Sequence, residues 1–138
     1  MEGLKNEEIE FYSLQKGAAP EKELADIKRQ GWNGPEIIDF SGDIKDFSDT
    51  AGLIENLDLV ITVDTSVAHL AGAMGKKVWI LNRYDTCWRW LLDRSDSPWY
   101  PSAKVFRQRA MGDWSNVVAD VANDLRLLVE HQRLLRRF

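Results

Sequence analysis

The sequence has few of the residues on which disulfide-linked, metal-bound and membrane proteins depend. Its one cysteine, Cys87, has no partner for an internal disulfide, and with only His69 and His131 no zinc-ligand spacing occurs. No apolar run approaches the roughly 18 residues of a membrane span, and the N-terminus has no signal-peptide pattern. These absences predict a cytoplasmic protein without structural metal or membrane span.

Basic charge is also in short supply, which argues against one class of partner. The 18 basic and 22 acidic residues give a net charge of −4, whereas sequence-independent binding of nucleic acid needs a concentrated basic surface. Residues 126–138 do carry four arginines and one glutamate, a run typical of a solvated helix face. With 138 residues, 44% of them hydrophobic, the chain has the size and composition of a single soluble domain over 1–138.

The hydrophobic pattern alternates between short strands and helices. Strands are predicted at 9–15, 36–40, 59–63, 77–81 and 104–107, with helices between them and a closing helix at about 113–136. The near-continuous apolar run at 59–63 is typical of a strand covered on both faces. The pattern predicts an α/β fold: a mostly parallel, Rossmann-like sheet of about five strands with helices on both faces.

Details of the helices follow from their end residues and apolar spacing. Pro20 and Glu21 suit the start of the first helix, in which Leu24 and Ile27 form the apolar face. Ser48 or Asp49 is predicted to cap the second helix. The apolar stripe of the closing helix is predicted to contain Trp114, Val118, Val121, Leu125, Leu128 and Leu135.

The turn after Val63 is the best candidate for a ligand site, because open α/β sheets bind ligands beyond the carboxyl ends of their strands. The first N–H groups of the next helix, at Ser66, Val67 and Ala68, have no partner inside it and lie at its positive end. Thr65 and Ser66 add hydroxyl groups, and His69 lies one turn after Thr65 on the same face. The turn can therefore receive a phosphate or diphosphate.

Asp64 does not suit direct contact with a phosphate, since two negative charges repel. It is predicted to cap the helix or to accept hydrogen bonds from sugar or ribose hydroxyls. A purely structural alternative is also open: Asp64 or Thr65 is only a helix cap, and His69 is satisfied by local contacts. The sequence has no Gly-rich loop, Walker pattern or dinucleotide fingerprint, so motifs do not decide between the binding site and the structural alternative.

A second candidate is the aromatic segment 84–101, which follows the fourth strand. Trp88, Trp90, Trp99 and Tyr100 could stack a base or sugar, and Arg89 or Arg94 could meet an anion. The alternative is that these aromatics anchor a long loop to the domain. Lys16, at the end of the first strand, is a third candidate for binding an anion.

Three segments resemble a known family. They are DFSDTAGLIENLDLVITVDTSVAHLAGAMGKKVWIL at 46–81, DTCWRWLLDRSDSPWYPSAKVFRQ at 85–108 and GDWSNVVADVANDL at 112–125. Together they resemble the C-terminal portion of bacterial glycosyltransferases often fused to tetratricopeptide repeats, which are related to family nine, the heptosyltransferases. The resemblance covers about 11–128.

The resemblance implies half of a GT-B enzyme, in which two Rossmann-like domains face each other across a cleft. The C-terminal half binds a nucleoside-diphosphate sugar as substrate, and no separate cofactor is implied. The block corresponding to 64–69 meets the donor diphosphate and nearby hydroxyls, in agreement with the anion site above. The family commonly has glycine where this chain has Ser66, so the side chain narrows the approach to the phosphate.

The resemblance also implies parts that this chain does not contain. The family has a further strand before the equivalent of 9–15, near the middle of the sheet, and the segment MEGLKNEE at 1–8 does not have a strand pattern. The acceptor-binding N-terminal domain, which supplies the catalytic base, is absent too. The chain is therefore expected to be a fragment whose sheet closes the gap or borrows a strand from another copy, as a homo-oligomer.

These observations predict the donor-binding part of a metal-independent glycosyltransferase, inactive by itself. The sequence has no Asp-x-Asp pair, in keeping with leaving-group stabilisation by the protein alone. Two alternatives are open: a nucleotide-sugar epimerase on the same fold, and a non-catalytic interaction module that the missing strand would favour.

Overall fold

A computed structural model describes residues 9–136 and contains five strands and four helices. Segment 1–8, for which no strand is predicted, lies outside the described residues. The strands are β1 (Phe11–Ser13), β2 (Ile37–Asp39), β3 (Val60–Val63), β4 (Val78–Asn82) and β5 (Ala103–Arg107). The helices are α1 (Ala18–Arg29), α2 (Phe47–Glu55), α3 (Ser66–Ala73) and α4 (Ser115–Leu135), and a short 3₁₀ helix spans Trp88–Trp90. Every predicted strand and helix is present, with ends shifted by a few residues.

The strands pair in parallel but form two sheets. In one, β1 lies beside β2, and in the other the order is β3-β4-β5. Parallel pairing with helices between strands confirms the α/β fold class. The strands predicted for one sheet lie in two among the described residues, and whether the gap is closed or filled by a strand from another copy stays a prediction. The chain divides accordingly into two compact units, residues 9–50 with 128–136, and Ala51–Leu127.

In the second unit β4 is the buried central strand. It pairs with β3 on one side and β5 on the other, and Val78, Trp79 and Ile80 are buried. The prediction that the run at 59–63 is covered on both faces is wrong, because Ile61 and Val63 are 36% and 47% exposed. Among the strands of residues 9–136, β3 pairs with β4 alone and is an edge strand.

The smaller unit, residues 9–50 with 128–136, has fewer buried side chains than the larger one. Lys28 of α1 donates to the carbonyl oxygen of Ile37 at 2.8 Å, and the rings of Tyr12 and Phe40 stack 5.9 Å apart. The predicted apolar face of α1 is not buried, and Ile27 is exposed. Strands of three residues each offer that helix little sheet to pack against.

Polar side chains accept hydrogen bonds at the starts of α1 and α2, as predicted, but the residue that caps α2 differs from the predicted ones. At the start of α1, the Glu21 carboxylate accepts the Gly17 N–H at 3.0 Å. At the start of α2 the cap is Asp46, not Ser48 or Asp49: its Oδ1 accepts the N–H groups of Ser48 and Asp49 at 2.8 and 3.1 Å. Because α2 begins at Phe47, one residue earlier than predicted, Asp46 takes the capping position.

The closing helix keeps one member of the predicted stripe, Leu125, in the core, and it also buries Val117, which lies outside that stripe. Val117 and Leu125 are buried, whereas Trp114, Val118 and Leu135 are exposed. Spacing alone could not separate two adjacent valines at 117 and 118, of which Val117 is the buried one. No helix among residues 9–136 is long and apolar enough to cross a membrane.

The start of α4 depends on a carboxylate, which makes it sensitive to pH. Asp113 Oδ1 accepts hydrogen bonds from the Ser115 N–H at 2.9 Å and the Ser115 hydroxyl at 2.5 Å. These bonds lower the pKa of Asp113 below its usual 3.8. A lowered pKa means that the carboxylate stabilises the fold fully above its ordinary value, and that this contribution is lost as pH falls through the lower, folded-state pKa.

We expect Asp113→Ala to lower the melting temperature by a few degrees at pH 7, because α4 loses its cap. Asp113→Asn keeps a capping oxygen and serves as the control, with a smaller loss. The difference between wild type and Asp113→Ala should shrink as pH is lowered through 4 to 2. Equal melting temperatures for wild type and Asp113→Ala at pH 7 would contradict the capping role.

Candidate functional site

The turn between β3 and α3 presents polar groups at the carboxyl end of the sheet. Thr65 is the extended residue before the helix, and its hydroxyl lies 3.2 Å from that of Thr62. Among the described residues, the N–H groups of Ser66 and Val67 have no hydrogen-bond partner, as predicted from their position. The Ala68 N–H differs from the prediction, since it donates to the Thr65 carbonyl oxygen at 3.0 Å. A tight first turn of α3 thus leaves two free donors, not three.

His69 lies one turn into α3, and aromatic side chains hold it. Its Nδ1 is 2.9 Å from the Tyr100 hydroxyl, and its ring stacks on that of Trp90, with 5.3 Å between centroids and 21° between planes. Its Nε2 lies 3.7 Å from Asp64 Oδ1. The His69 side chain is 34% exposed, so the held ring still reaches solvent.

Gly72 makes the contact between Tyr100 and His69 possible. It follows His69 by three residues and lies on the same face of α3, where a Cβ atom would come within 2.5 Å of the Tyr100 ring. Tyr100 therefore packs against bare backbone. Sequence reasoning missed this pairing, although a glycine one turn after a histidine in a helix was a signal that a ring could approach there.

The aromatic segment contains both buried and exposed side chains. Trp90 is completely buried beneath His69, so it presents no free face to a base or sugar. Trp88 and Trp99 are exposed, with ring centroids 6.5 Å apart in an edge-to-face arrangement. The Arg89 guanidinium lies 5.1 Å from the centre of the Trp88 ring. Trp90 thus anchors the loop, as the alternative interpretation has it, while stacking of a base or sugar on the exposed Trp88 stays a prediction.

Two further predicted anion ligands are engaged elsewhere. Arg94 forms a two-pronged ion pair with Asp96, with nitrogen–oxygen distances of 2.6 and 2.7 Å, and this pairing lowers the pKa of Asp96. Lys16 lies in the other unit, in the loop after β1, where its ammonium group donates to the Ile44 carbonyl oxygen. Arg94 is thus paired within its own loop, and Lys16 belongs to the unit that does not contain α3.

Parallel strands alternating with helices, and a polar turn at the carboxyl end of one strand, are the hallmarks of the Rossmann-like class of α/β domains. The sequence model of glycosyltransferase family 9 (heptosyltransferase) matches residues 19–116, and the chain belongs to this family. The matched region includes the β3–α3 turn and the whole aromatic segment.

A curated relative extends the comparison. Protein FlbA of Caulobacter vibrioides is 34% identical to this chain over 122 residues, which are 86% of this chain and 19% of FlbA. The chain thus spans about a fifth of the length of this relative. No solved structure matches the chain.

We expect Gly72→Ala to destabilise the protein by about 1–3 kcal/mol, because the new methyl group would overlap the Tyr100 ring. Gly52→Ala is the matched control: Gly52 also lies in a helix, but a methyl group there meets nothing within 4 Å. That control should stabilise the protein by about 0.5–1 kcal/mol. Urea unfolding of both variants gives the comparison, and equal effects would show that Tyr100 does not pack on Gly72.

Proposed function

We propose that this chain is the donor-binding part of a metal-independent glycosyltransferase, corresponding to the C-terminal half of a GT-B enzyme. The observation that carries the proposal is the β3–α3 turn: free N–H groups at Ser66 and Val67 lie close in sequence to a held, half-exposed His69. Membership of glycosyltransferase family 9 supplies the reaction class. The ligand is a nucleoside-diphosphate sugar.

The diphosphate is proposed to lie at the start of α3. The two free N–H groups point outward from the positive end of the helix, where a negative charge is stabilised. The Thr65 and Ser66 side chains are exposed at the same turn and add hydroxyl donors. As the bond between the sugar carbon and the diphosphate oxygen breaks, negative charge grows on the leaving diphosphate, and fixed donors at that place lower the barrier.

His69 contributes a further donor in this proposal. We assign the Tyr100 hydroxyl as donor to Nδ1, which leaves the ring hydrogen on Nε2. Because Tyr100 engages Nδ1, Nε2 is the nitrogen proposed to donate to a phosphate oxygen. The stacked Trp90 ring prevents the imidazole from turning away.

The remaining parts of the donor are assigned to other polar and aromatic groups. Asp64 accepts hydrogen bonds from ribose or sugar hydroxyls, because a carboxylate repels phosphate. The exposed ring of Trp88, with Arg89 beside it, is the proposed stacking surface for the base or sugar. Trp90 acts from beneath His69 instead of touching the ligand. A role for Lys16 in binding the diphosphate stays a prediction.

The whole enzyme is proposed to need more than these 138 residues. The acceptor-binding domain with the catalytic base, and a tetratricopeptide-repeat segment, are expected in other parts of a longer protein. The small share of FlbA that the chain covers is in keeping with this arrangement. By itself, the chain should bind a donor nucleotide without transferring sugar.

Calorimetric titration of UDP, ADP and GDP against the purified chain tests the site. We expect at least one of them to bind, and Thr65→Val and His69→Ala each to weaken binding by roughly tenfold. A hydrogen bond to a charged group is worth about 1.5–3 kcal/mol, which corresponds to a factor of ten or more.

His131→Ala is the control, since His131 is exposed on α4 and far along the chain from the turn. It should bind the nucleotides like the wild-type chain. Absence of binding, or equal binding by all four proteins, would contradict the proposed site.

A non-catalytic interaction module is the second candidate, and the edge of β3 is the observation that favours it. Within the second unit β3 pairs only with β4, while the loop residue Asp96 bridges Lys104 of β5 and covers part of the opposite edge. Light scattering after size exclusion separates the candidates. A chain that self-associates and ignores nucleotides fits the module, and a nucleotide-binding chain fits the donor domain.

A further inference from the structure

Arg107 holds the turn that carries Trp90. It is the last residue of β5, and its Nη2 donates to two successive carbonyl oxygens, those of Trp90 at 3.2 Å and Leu91 at 2.8 Å. Its own carbonyl oxygen accepts a hydrogen bond from Asn116 Nδ2 at 3.0 Å, so the backbone at Arg107 is tied to α4. The guanidinium therefore reaches the loop from a firmly held strand end.

The turn itself is in a conformation that requires such support. Leu91 has φ 52 and ψ −178, a backbone region that is populated almost entirely by glycine. A branched side chain stays there only if surrounding contacts fix the backbone on both sides. Within the turn, the Cys87 and Trp88 carbonyls accept backbone N–H groups.

The other carbonyl oxygens of the turn depend on side chains. The carbonyl oxygen of Arg89 accepts a hydrogen bond from the Trp99 indole N–H at 3.0 Å. The carbonyls of Trp90 and Leu91 have Arg107 as their donor. Without the guanidinium, both carbonyl oxygens would lose their donor at the strained backbone of Leu91.

Burial of the Arg107 guanidinium has an energetic cost, which its hydrogen bonds to the loop must offset. Its Nη1 is buried and has no hydrogen-bond partner among residues 9–136, and burial lowers the pKa of the guanidinium. Asp93, in the same loop, offsets part of that effect. Arg107 bonds to backbone carbonyl oxygens and so fixes the loop. An arginine that only added charge to the surface would be surrounded by water instead.

We infer that Arg107 is a positioning residue for His69, acting through Trp90. The guanidinium fixes the Trp90–Leu91 turn, the turn keeps the Trp90 ring in the core, and that ring stacks on the imidazole. The inference deepens the proposed function and rests on it, because His69 is the donor that Arg107 holds in place. A lysine cannot replace Arg107, since its single ammonium group does not have the planar fork of the guanidinium.

The test is Arg107→Lys, followed by proton NMR of the histidine rings. His69 and His131 are the two histidines of the chain, and His131→Gln assigns them. The stacked Trp90 ring shifts the His69 ring protons upfield, so we expect these signals to move toward the position of the exposed His131 in Arg107→Lys. UDP, or whichever of the three diphosphates binds the wild-type chain, should bind roughly tenfold more weakly, the equivalent of about 1.4 kcal/mol.

Arg109→Lys is the matched control, because Arg109 is exposed two residues later and pairs with Asp120 at 3.1 Å. It should leave both readouts unchanged. Unmoved His69 signals in a folded Arg107→Lys protein would overturn the inference, even if the melting temperature falls. Moved signals in a chain that binds no diphosphate would support the positioning role and contradict the proposed function.

A second pair of variants covers the case in which Arg107→Lys does not fold. Leu91→Gly removes the backbone strain at a partly exposed position, so Arg107→Lys should be tolerated better in that background. The double variant should regain a folded spectrum. Equal losses of stability from Arg107→Lys in both backgrounds would overturn the coupling between the guanidinium and the strained turn.

Discussion

The candidate site depends on the close approach of Tyr100 to α3. With no side chain at Gly72, the Tyr100 ring lies against the helix backbone, and its hydroxyl reaches His69 Nδ1. Trp90 then packs against both rings. One missing Cβ atom thus lets a loop and a helix share an aromatic cluster. That cluster engages the Nδ1 edge of the imidazole and leaves the Nε2 edge, which lies 3.7 Å from Asp64 Oδ1.

The polar and aromatic parts of the site have complementary roles. The turn before α3 presents donors that the helix cannot use itself, which is a property of helix starts in general. What makes this turn particular is the rigid support beneath His69, which extends through Trp90 to Arg107 at the end of β5. Preorganised donors favour a developing charge more than mobile ones do, since no ordering is required during the reaction. In the proposed donor site, this is the physical link between the fold and the chemistry of a glycosyltransferase.

Much of the fold could be predicted from local patterns, and the differences have physical reasons. Apolar runs and turn residues located all five strands and four helices. The burial of β3 could not be predicted, because an apolar strand has the same sequence pattern at an edge as in the middle of a sheet. At the start of α4, Val117 is buried instead of the predicted Val118, because periodicity cannot choose between adjacent apolar residues, whereas Leu125 is buried as predicted.

The sequence by itself determined the α/β order, the polar turn after β3 and the family, because these depend on residues that are close along the chain. Only the tertiary structure decided which residues support the site. His69 and Tyr100 are 31 positions apart, and Trp90 and Arg107 are 17 apart. No periodicity connects such residues. Packing between strand ends, loop and helix brings them together, and the free space at Gly72 determines how closely they meet.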